Sequence, residues 1–295
     1  MKIFIGIPAF NEEKNISSII LKIKEKFPNI IVCNDGSTDM TKKIIEELNV
    51  ITINHEKNLG YGAGIRSLFL KAKELNADIL VTFDADGQHR IEDIEKVIQP
   101  ILNNKSDIVI GSRFLDENEK NVPKYRKVGI KVITKITNSS IKQKLTDSQS
   151  GFRAYSKNVL SGISPTEVGM GISTEILIKA SSKNYIISEV PIIISYEGET
   201  STHNPIRHGT SVIASTIKYI SIKRPLTFFG IPCIIFFIFG GMFAYYTIEN
   251  YVDVGRLNTN LAIISMGLIL LGIIFLISII IIITIITVVE ENKKY

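Results

Sequence analysis

The chain has 295 residues, of which 34 are Lys or Arg and 29 Asp or Glu, giving +5 overall; only two are cysteine. That length supports one large domain or two small ones, and two cysteines exclude a disulfide framework. The last 70 residues are almost uncharged and leave +6 on residues 1–225, a balance suited to an anionic lipid surface; without a dense arginine stripe and interleaved aromatics, no nucleic-acid partner is expected.

Short apolar runs at Ile3–Ile7, Ile30–Cys33, Val50–Ile53, Ile79–Phe83 and Ile108–Ile110 predict buried parallel strands. Helical stretches alternate with them over Glu13–Lys26, Thr38–Leu48, Gly62–Leu75 and Ile91–Leu102, the second capped by Ser37 or Thr38. Four such repeats predict a doubly wound α/β sheet, whose ligands gather at the carboxyl ends of the strands. The polar clusters fall at those ends: Pro8–Glu13, Asn34–Asp39, Asp84–His89 and Gly111–Arg113. Farther on, the pattern predicts a helix over Arg126–Ile141, a strand over Gly151–Tyr155, a helix over Ser173–Lys183 and a strand over Tyr185–Ser195.

Residues 206–225 alternate apolar and basic side chains, as a helix lying in a membrane interface does. Leu226–Ile248 and Leu261–Val289 then run for 23 and 29 residues without a charge. Roughly 20 helical residues cross a hydrocarbon core, so both are predicted to span, joined by the loop 249–260. Arg207, Lys218, Lys223 and Arg224 precede the first span and Lys293 and Lys294 follow the second. Positive-inside counting therefore predicts a multi-pass cell-membrane protein with both termini in the cytoplasm. The apolar start, Met1–Ile7, is too short for a signal peptide. The expected organisation is a cytosolic domain over 1–205, the interface segment 206–225, the hairpin, and a tail at 290–295.

Asp84-Ala85-Asp86-Gly87-Gln88-His89 directly follows a predicted strand. Two carboxylates spaced this way can face one Mg²⁺ or Mn²⁺ shared with a substrate diphosphate, and Gln88 offers a third oxygen. Alone, D-x-D equally describes a loop whose aspartates bond to backbone amides. Asn34-Asp35-Gly36-Ser37-Thr38-Asp39 is as ambiguous by itself: Asp35 and Asp39 suit a nucleoside, and so does a plain N-cap with a turn. The combination is specific. With Ile7-Pro8-Ala9-Phe10-Asn11-Glu12-Glu13 ahead of them, the three clusters resemble the inverting family-2 glycosyltransferases with a GT-A nucleotide-sugar domain. Asn58-Leu59-Gly60-Tyr61-Gly62, Gly111-Ser112-Arg113-Phe114 and Asp147-Ser148-Gln149-Ser150-Gly151-Phe152-Arg153-Ala154 resemble the dolichyl-phosphate mannose and glucose synthase branch. The C-terminal hairpin is similar to that of polyprenyl-phosphate glycosyltransferases.

The resemblance implies a hexose passing from a nucleotide sugar to dolichyl or polyprenyl phosphate, with inversion. It implies that Pro8, Asn11, Glu12 and Asp35 line the nucleoside pocket and that Arg207 and Ser211 close over the donor. Asp84, Asp86 and Gln88 would hold the Mg²⁺ or Mn²⁺ and the donor diphosphate, while Arg113, Arg126 and Arg153 would meet the lipid phosphate; Asp84, Asp86 and Arg113 are the expected catalytic residues. Two positions depart from the family pattern, with Ile130 in place of a serine and Val212 in place of a lysine. The histidines 55, 89, 203 and 208 are scattered and are expected at the polar surface. Glu175 is expected either to orient the sugar or to sit on the surface. Partners are the donor, the lipid phosphate and membrane lipid, and a second copy joined through the hairpin is compatible with them. A polysaccharide-extending enzyme of the same family is disfavoured because the chain has no tryptophan. A non-catalytic membrane scaffold leaves the acidic pair unexplained.

Overall fold

The computed structural model describes residues 1–115, 122–194, 221 and 225–291. The chain divides into two compact units, Met1–Thr216 and Ile217–Tyr295. In the first, strands β1 (Ile3–Ala9), β2 (Ile30–Asn34), β3 (Ile51–Asn54), β4 (Ile79–Thr82) and β5 (Ile108–Ser112) alternate with helices α1 (Ile16–Lys24), α2 (Thr41–Glu47), α3 (Tyr61–Glu74) and α4 (Asp93–Leu102). Then come α5 (Lys124–Asn138), β6 (Arg153–Ser156), α6 (Lys157–Gly162), α7 (Ile172–Ser182) and β7 (Ile187–Pro191).

The strands form one seven-stranded sheet in the order β3-β2-β1-β4-β6-β5-β7. Ile5, Ile7, Val32, Val81 and Val109 join Ile16, Ile20 and Ile23 of α1 and Ile94, Val97 and Ile98 of α4 in one apolar core. Helix α3 packs against β1 and β2 and also touches α6 and α7. Buried isoleucines at 16, 19, 20 and 23 give α1 the three-and-four spacing of a helix with one apolar face. Asn49, Asn76, Asn104 and Asn184, just past α2, α3, α4 and α7, take positive φ, which asparagine tolerates at a helix end.

The five strands read from the sequence are parallel, and the sheet is the expected GT-A type. It is nevertheless mixed. β6 enters between β4 and β5 and is antiparallel to both, Arg153 lying opposite Thr82 on one side and Ile110 on the other. Running backwards, β6 starts where its neighbours end, so the loop before it joins the ligand-binding edge. The short helix α6 was not anticipated; the Ser156 hydroxyl caps it by accepting from the Val159 N–H at 3.5 Å.

The second unit holds α8 (Pro225–Val254) and α9 (Thr259–Glu291), both long and apolar enough to cross a membrane. The expected loop 249–260 is mostly helical, and only residues 255–258 connect the two. The helices meet closely. Ser265 donates to the Gly240 carbonyl at 2.9 Å, and Phe275 packs against Phe229 and Phe236. Outward-facing Ile234, Ile238, Ile263, Ile277 and Ile280 remain exposed, the kind of apolar surface that a helix able to cross a membrane presents.

Candidate active site

The loops after β1 and β2 are laced together. Asn11 turns with φ of 56°, its N–H donates to the Ser37 hydroxyl at 3.0 Å, and its Oδ1 accepts from the Thr38 N–H at 2.8 Å. The Glu12 N–H donates to Thr41 Oγ1 at 2.8 Å. Asp35 draws in the loop after β3: its carboxylate accepts from the N–H groups of Leu59 and Gly60, both at 2.9 Å, and meets His55 Nδ1 at 2.6 Å. Gly36 has φ of 68°, and a Cβ there would overlap the Lys57 backbone, so the turn requires glycine. Pro8 lies beside Gly64 of α3. Pro8, Asn11, Glu12 and Asp35 thus share one edge, with Asn11 and Asp35 shaping its walls through bonds already made.

Asp84 and Asp86 stand just past β4. Tyr61 donates its phenol to Asp84 Oδ1 at 3.1 Å, and His89 Nε2 lies 3.5 Å from Asp84 Oδ2. Burial holds the Tyr61 hydroxyl well above its usual pKa, the Asp84 charge adds to the rise, and the phenol remains a donor. Burial also raises the Asp86 carboxyl, as does the charge of Asp84, against the opposing effects of His89 and Arg126. The Gln88 N–H donates to Asp86 Oδ1 at 3.0 Å, and the residue itself is nearly buried. Glu12 belongs to the same field. Burial pushes its carboxyl up to about 7, with Asp86, Asp39 and Asp84 adding to the rise.

This edge gathers mutually repelling carboxylates that a cation would relieve. Among the described residues no three His, Cys, Asp or Glu side chains form a complete metal cage. Two carboxylates and a carboxamide, with substrate oxygens completing the shell, fit a hard divalent ion. Glu12 offers a direct check. Its carboxyl ordinarily titrates at 4.5 and here at about 7, so the folded state holds the extra proton and stability falls as pH rises across that window. Glu12→Gln is therefore expected to stabilise the metal-free protein at pH 8 by about 1 kcal/mol after solvent screening, and much less at pH 5, read from thermal unfolding at the two pH values. An equal offset at both pH values would refute the assignment.

Just past β5, Arg113 grips Asp147 with Nε to Oδ2 at 2.6 Å and Nη2 to Oδ1 at 2.8 Å. Burial alone would raise the fully buried Asp147 carboxyl, but the Arg113 charge and hydrogen bonds hold it below its usual range. Arg126, in the first turn of α5, bears electrostatically on Asp86. Asp84, Asp86, Gln88, Arg126 and Glu12 therefore converge.

Three expectations are corrected here. Arg153 does not face a ligand: it is 1% exposed, and its guanidinium donates to the carbonyls of Ser148, Ser150 and Ser173 at 2.7, 2.8 and 3.0 Å. Glu175 neither orients a sugar nor lies on the surface; it is buried and accepts from the N–H groups of Thr166 and Glu167. His55 and His89 are inside rather than at the polar surface, their side chains 11% and 6% exposed. Arg207 and Ser211, with His203 and His208, lie outside the described residues. Sequence reasoning passed over Tyr61 and Asp147 as functional side chains, although both stand inside motifs that carried the resemblance.

The family model described as glycosyl transferase family 2 matches residues 4–163. A UDP-N-acetylglucosamine–dolichyl-phosphate N-acetylglucosaminyltransferase of Methanococcus voltae is 40% identical over 232 residues, covering 72% of this chain and 90% of that protein. A dolichol-phosphate mannosyltransferase of Pyrococcus furiosus is 34% identical over 203 residues, covering 65% of this chain and 56% of that one. Among solved structures, glucosyl-3-phosphoglycerate synthase of Mycobacterium tuberculosis in complex with Mn²⁺, UDP and phosphoglyceric acid superposes with a TM-score of 0.58 at 18% identity, over 74% of this chain and 78% of that one. That likeness carries the fold alone. The family match spans more than half of the residues and includes the loops that hold Asn11, Asp35, Asp84 and Asp86, so the chain belongs to glycosyl transferase family 2.

Proposed function

We propose that this protein transfers a sugar from a nucleotide sugar to a dolichyl or other polyprenyl phosphate at the cytosolic membrane face, with inversion at the anomeric carbon. The observation that carries the reading is the acidic pair Asp84–Asp86 with the Arg126 charge acting on it from α5. The pair suits a cation-bound diphosphate, and the arginine suits a second anion beside it. The 40% identical relative, named for UDP-N-acetylglucosamine and dolichyl phosphate, makes that donor the first to try.

The chemistry follows from charge. A phosphate monoester has a second pKa of about 6, so at neutral pH the acceptor is already a nucleophile and needs no strong base. The obstacle is bringing it to a negatively charged donor. Arg113 and Arg126 would offset that repulsion from the acceptor side. Asp84, Asp86 and Gln88 would hold Mg²⁺ or Mn²⁺, which supplies positive charge to the departing diphosphate. Asp147 keeps the Arg113 guanidinium in one orientation, and attack opposite the leaving group inverts the sugar. The lysines and arginines flanking the two apolar helices support a hairpin with both ends cytoplasmic.

Detergent-purified protein, a short polyprenyl phosphate, Mg²⁺ or Mn²⁺ and labelled UDP-N-acetylglucosamine test this directly, with other UDP- and GDP-sugars alongside. Label in an acid-labile lipid, lost with EDTA, is expected. Label passing only to a soluble or polymeric acceptor would overturn the assignment in favour of chain extension.

A further inference from the structure

We infer that Tyr61 and His89 are positioning residues that hold the Asp84 carboxylate in the one orientation from which it receives a divalent cation. The inference rests on the metal role proposed for Asp84. A lone aspartate at a loop start rotates about its last side-chain bond, and a ligand that must be oriented on binding loses affinity. Here both oxygens are engaged. Tyr61, opening α3, donates to Oδ1 at 3.1 Å, and His89 Nε2 stands 3.5 Å from Oδ2. Gly151, before β6, closes the remaining space: a Cβ there would lie 2.5 Å from the Tyr61 hydroxyl and 2.7 Å from Asp84 Oδ2. Three segments far apart in sequence thus converge on one carboxylate.

His89 is the more telling of the pair. Its ring is packed beside Phe83 and Phe152, with centroids 5.7 and 5.0 Å away. Its Nδ1 is buried and has no hydrogen-bond partner among the described residues. A phenylalanine in that apolar slot would avoid an orphaned polar atom, which ordinarily destabilises a fold. Asp84 is the carboxylate that the His89 ring nitrogen approaches to 3.5 Å, and the influence of the ring extends to Asp86 beside it. The imidazole therefore sits there at a cost to the fold, and orienting Asp84 is what it provides. Partners of this kind, behind the direct ligands, typically change metal affinity by about 10–100-fold when removed.

The test is a Mn²⁺ titration followed by electron paramagnetic resonance, on the full chain in detergent with UDP present to supply the diphosphate. Wild type is compared with Tyr61→Phe, His89→Phe and Asp84→Asn. Tyr61→Phe and His89→Phe are each expected to weaken Mn²⁺ about ten-fold. Without metal, the thermal midpoint should hold in Tyr61→Phe and hold or rise in His89→Phe, since the orphaned nitrogen is gone. A merely structural role would move the midpoint and leave the Mn²⁺ affinity alone. Wild-type affinity in both variants, with loss in Asp84→Asn, would overturn the positioning role and spare the metal site. Wild-type affinity in Asp84→Asn would overturn the metal assignment itself. Should Tyr61→Phe fail to fold, His89→Phe decides the matter.

Discussion

Asp86→Ala is expected to lose sugar transfer by about a thousand-fold or more while the metal-free protein becomes slightly more stable. The two effects have one cause. Asp86 is held close to Asp84, and burial together with that neighbouring charge raises its carboxyl above the usual range. Raised affinity for a proton means that the ionised form is strained at neutral pH, and removing it relieves the strain. The same strain is what a cation would offset, so the substitution would remove a proposed ligand where charge must be neutralised. Asp84→Asn should lose activity to a similar degree. Initial rates with saturating donor, beside thermal midpoints with and without Mn²⁺, check the pair. Activity within three-fold of wild type in both variants would remove these carboxylates from the reaction.

The second large effect concerns stability. Arg153→Met is expected to cost about 4 kcal/mol, lowering the thermal midpoint by roughly 10 °C or preventing folding. The guanidinium has 1% exposure and donates to Ser148, Ser150 and Ser173 carbonyls, tying the loop before β6 to the start of α7. Methionine fills much of the volume and leaves three buried acceptors unpaired, each worth about 1–3 kcal/mol. Arg153→Lys should rescue little, because one ammonium cannot reproduce a planar fork aimed at three carbonyls. A lipid-phosphate contact at this position predicts the opposite result: an intact midpoint and a raised KM for polyprenyl phosphate. Thermal unfolding followed by circular dichroism, with lipid KM measured on any folded fraction, separates the two.

Arg153 also marks where sequence reasoning stops. As one residue of the Ser-Gly-Phe-Arg stretch it resembled a ligand contact. Its fate was set by β6 running antiparallel between β4 and β5 and by the carbonyls of α7, twenty residues farther on. No local pattern encodes that encounter. Tyr61 is a similar case. Its helix was legible from periodicity, but its hydroxyl acquires a partner only because Asp84, 23 positions away, lies within hydrogen-bond reach. His89 looked like a polar surface residue because the four histidines are scattered along the sequence and form no ligand set; Phe83 and Phe152 lie against its ring.

The sequence alone determined the alternation of strands and helices, the polar clusters at strand ends and the two long apolar helices. Each is written in short-range spacing: buried isoleucine runs, the three-and-four repeat of α1, or an unbroken stretch without charge. Only the tertiary structure decided which polar side chains meet. It turned Arg153 and Glu175 inward, paired Arg113 with Asp147, and set Tyr61 and His89 around Asp84. A side chain's partners depend on which strands become neighbours, and a single β6 inserted backwards is enough to bring a distant loop to the edge of the site.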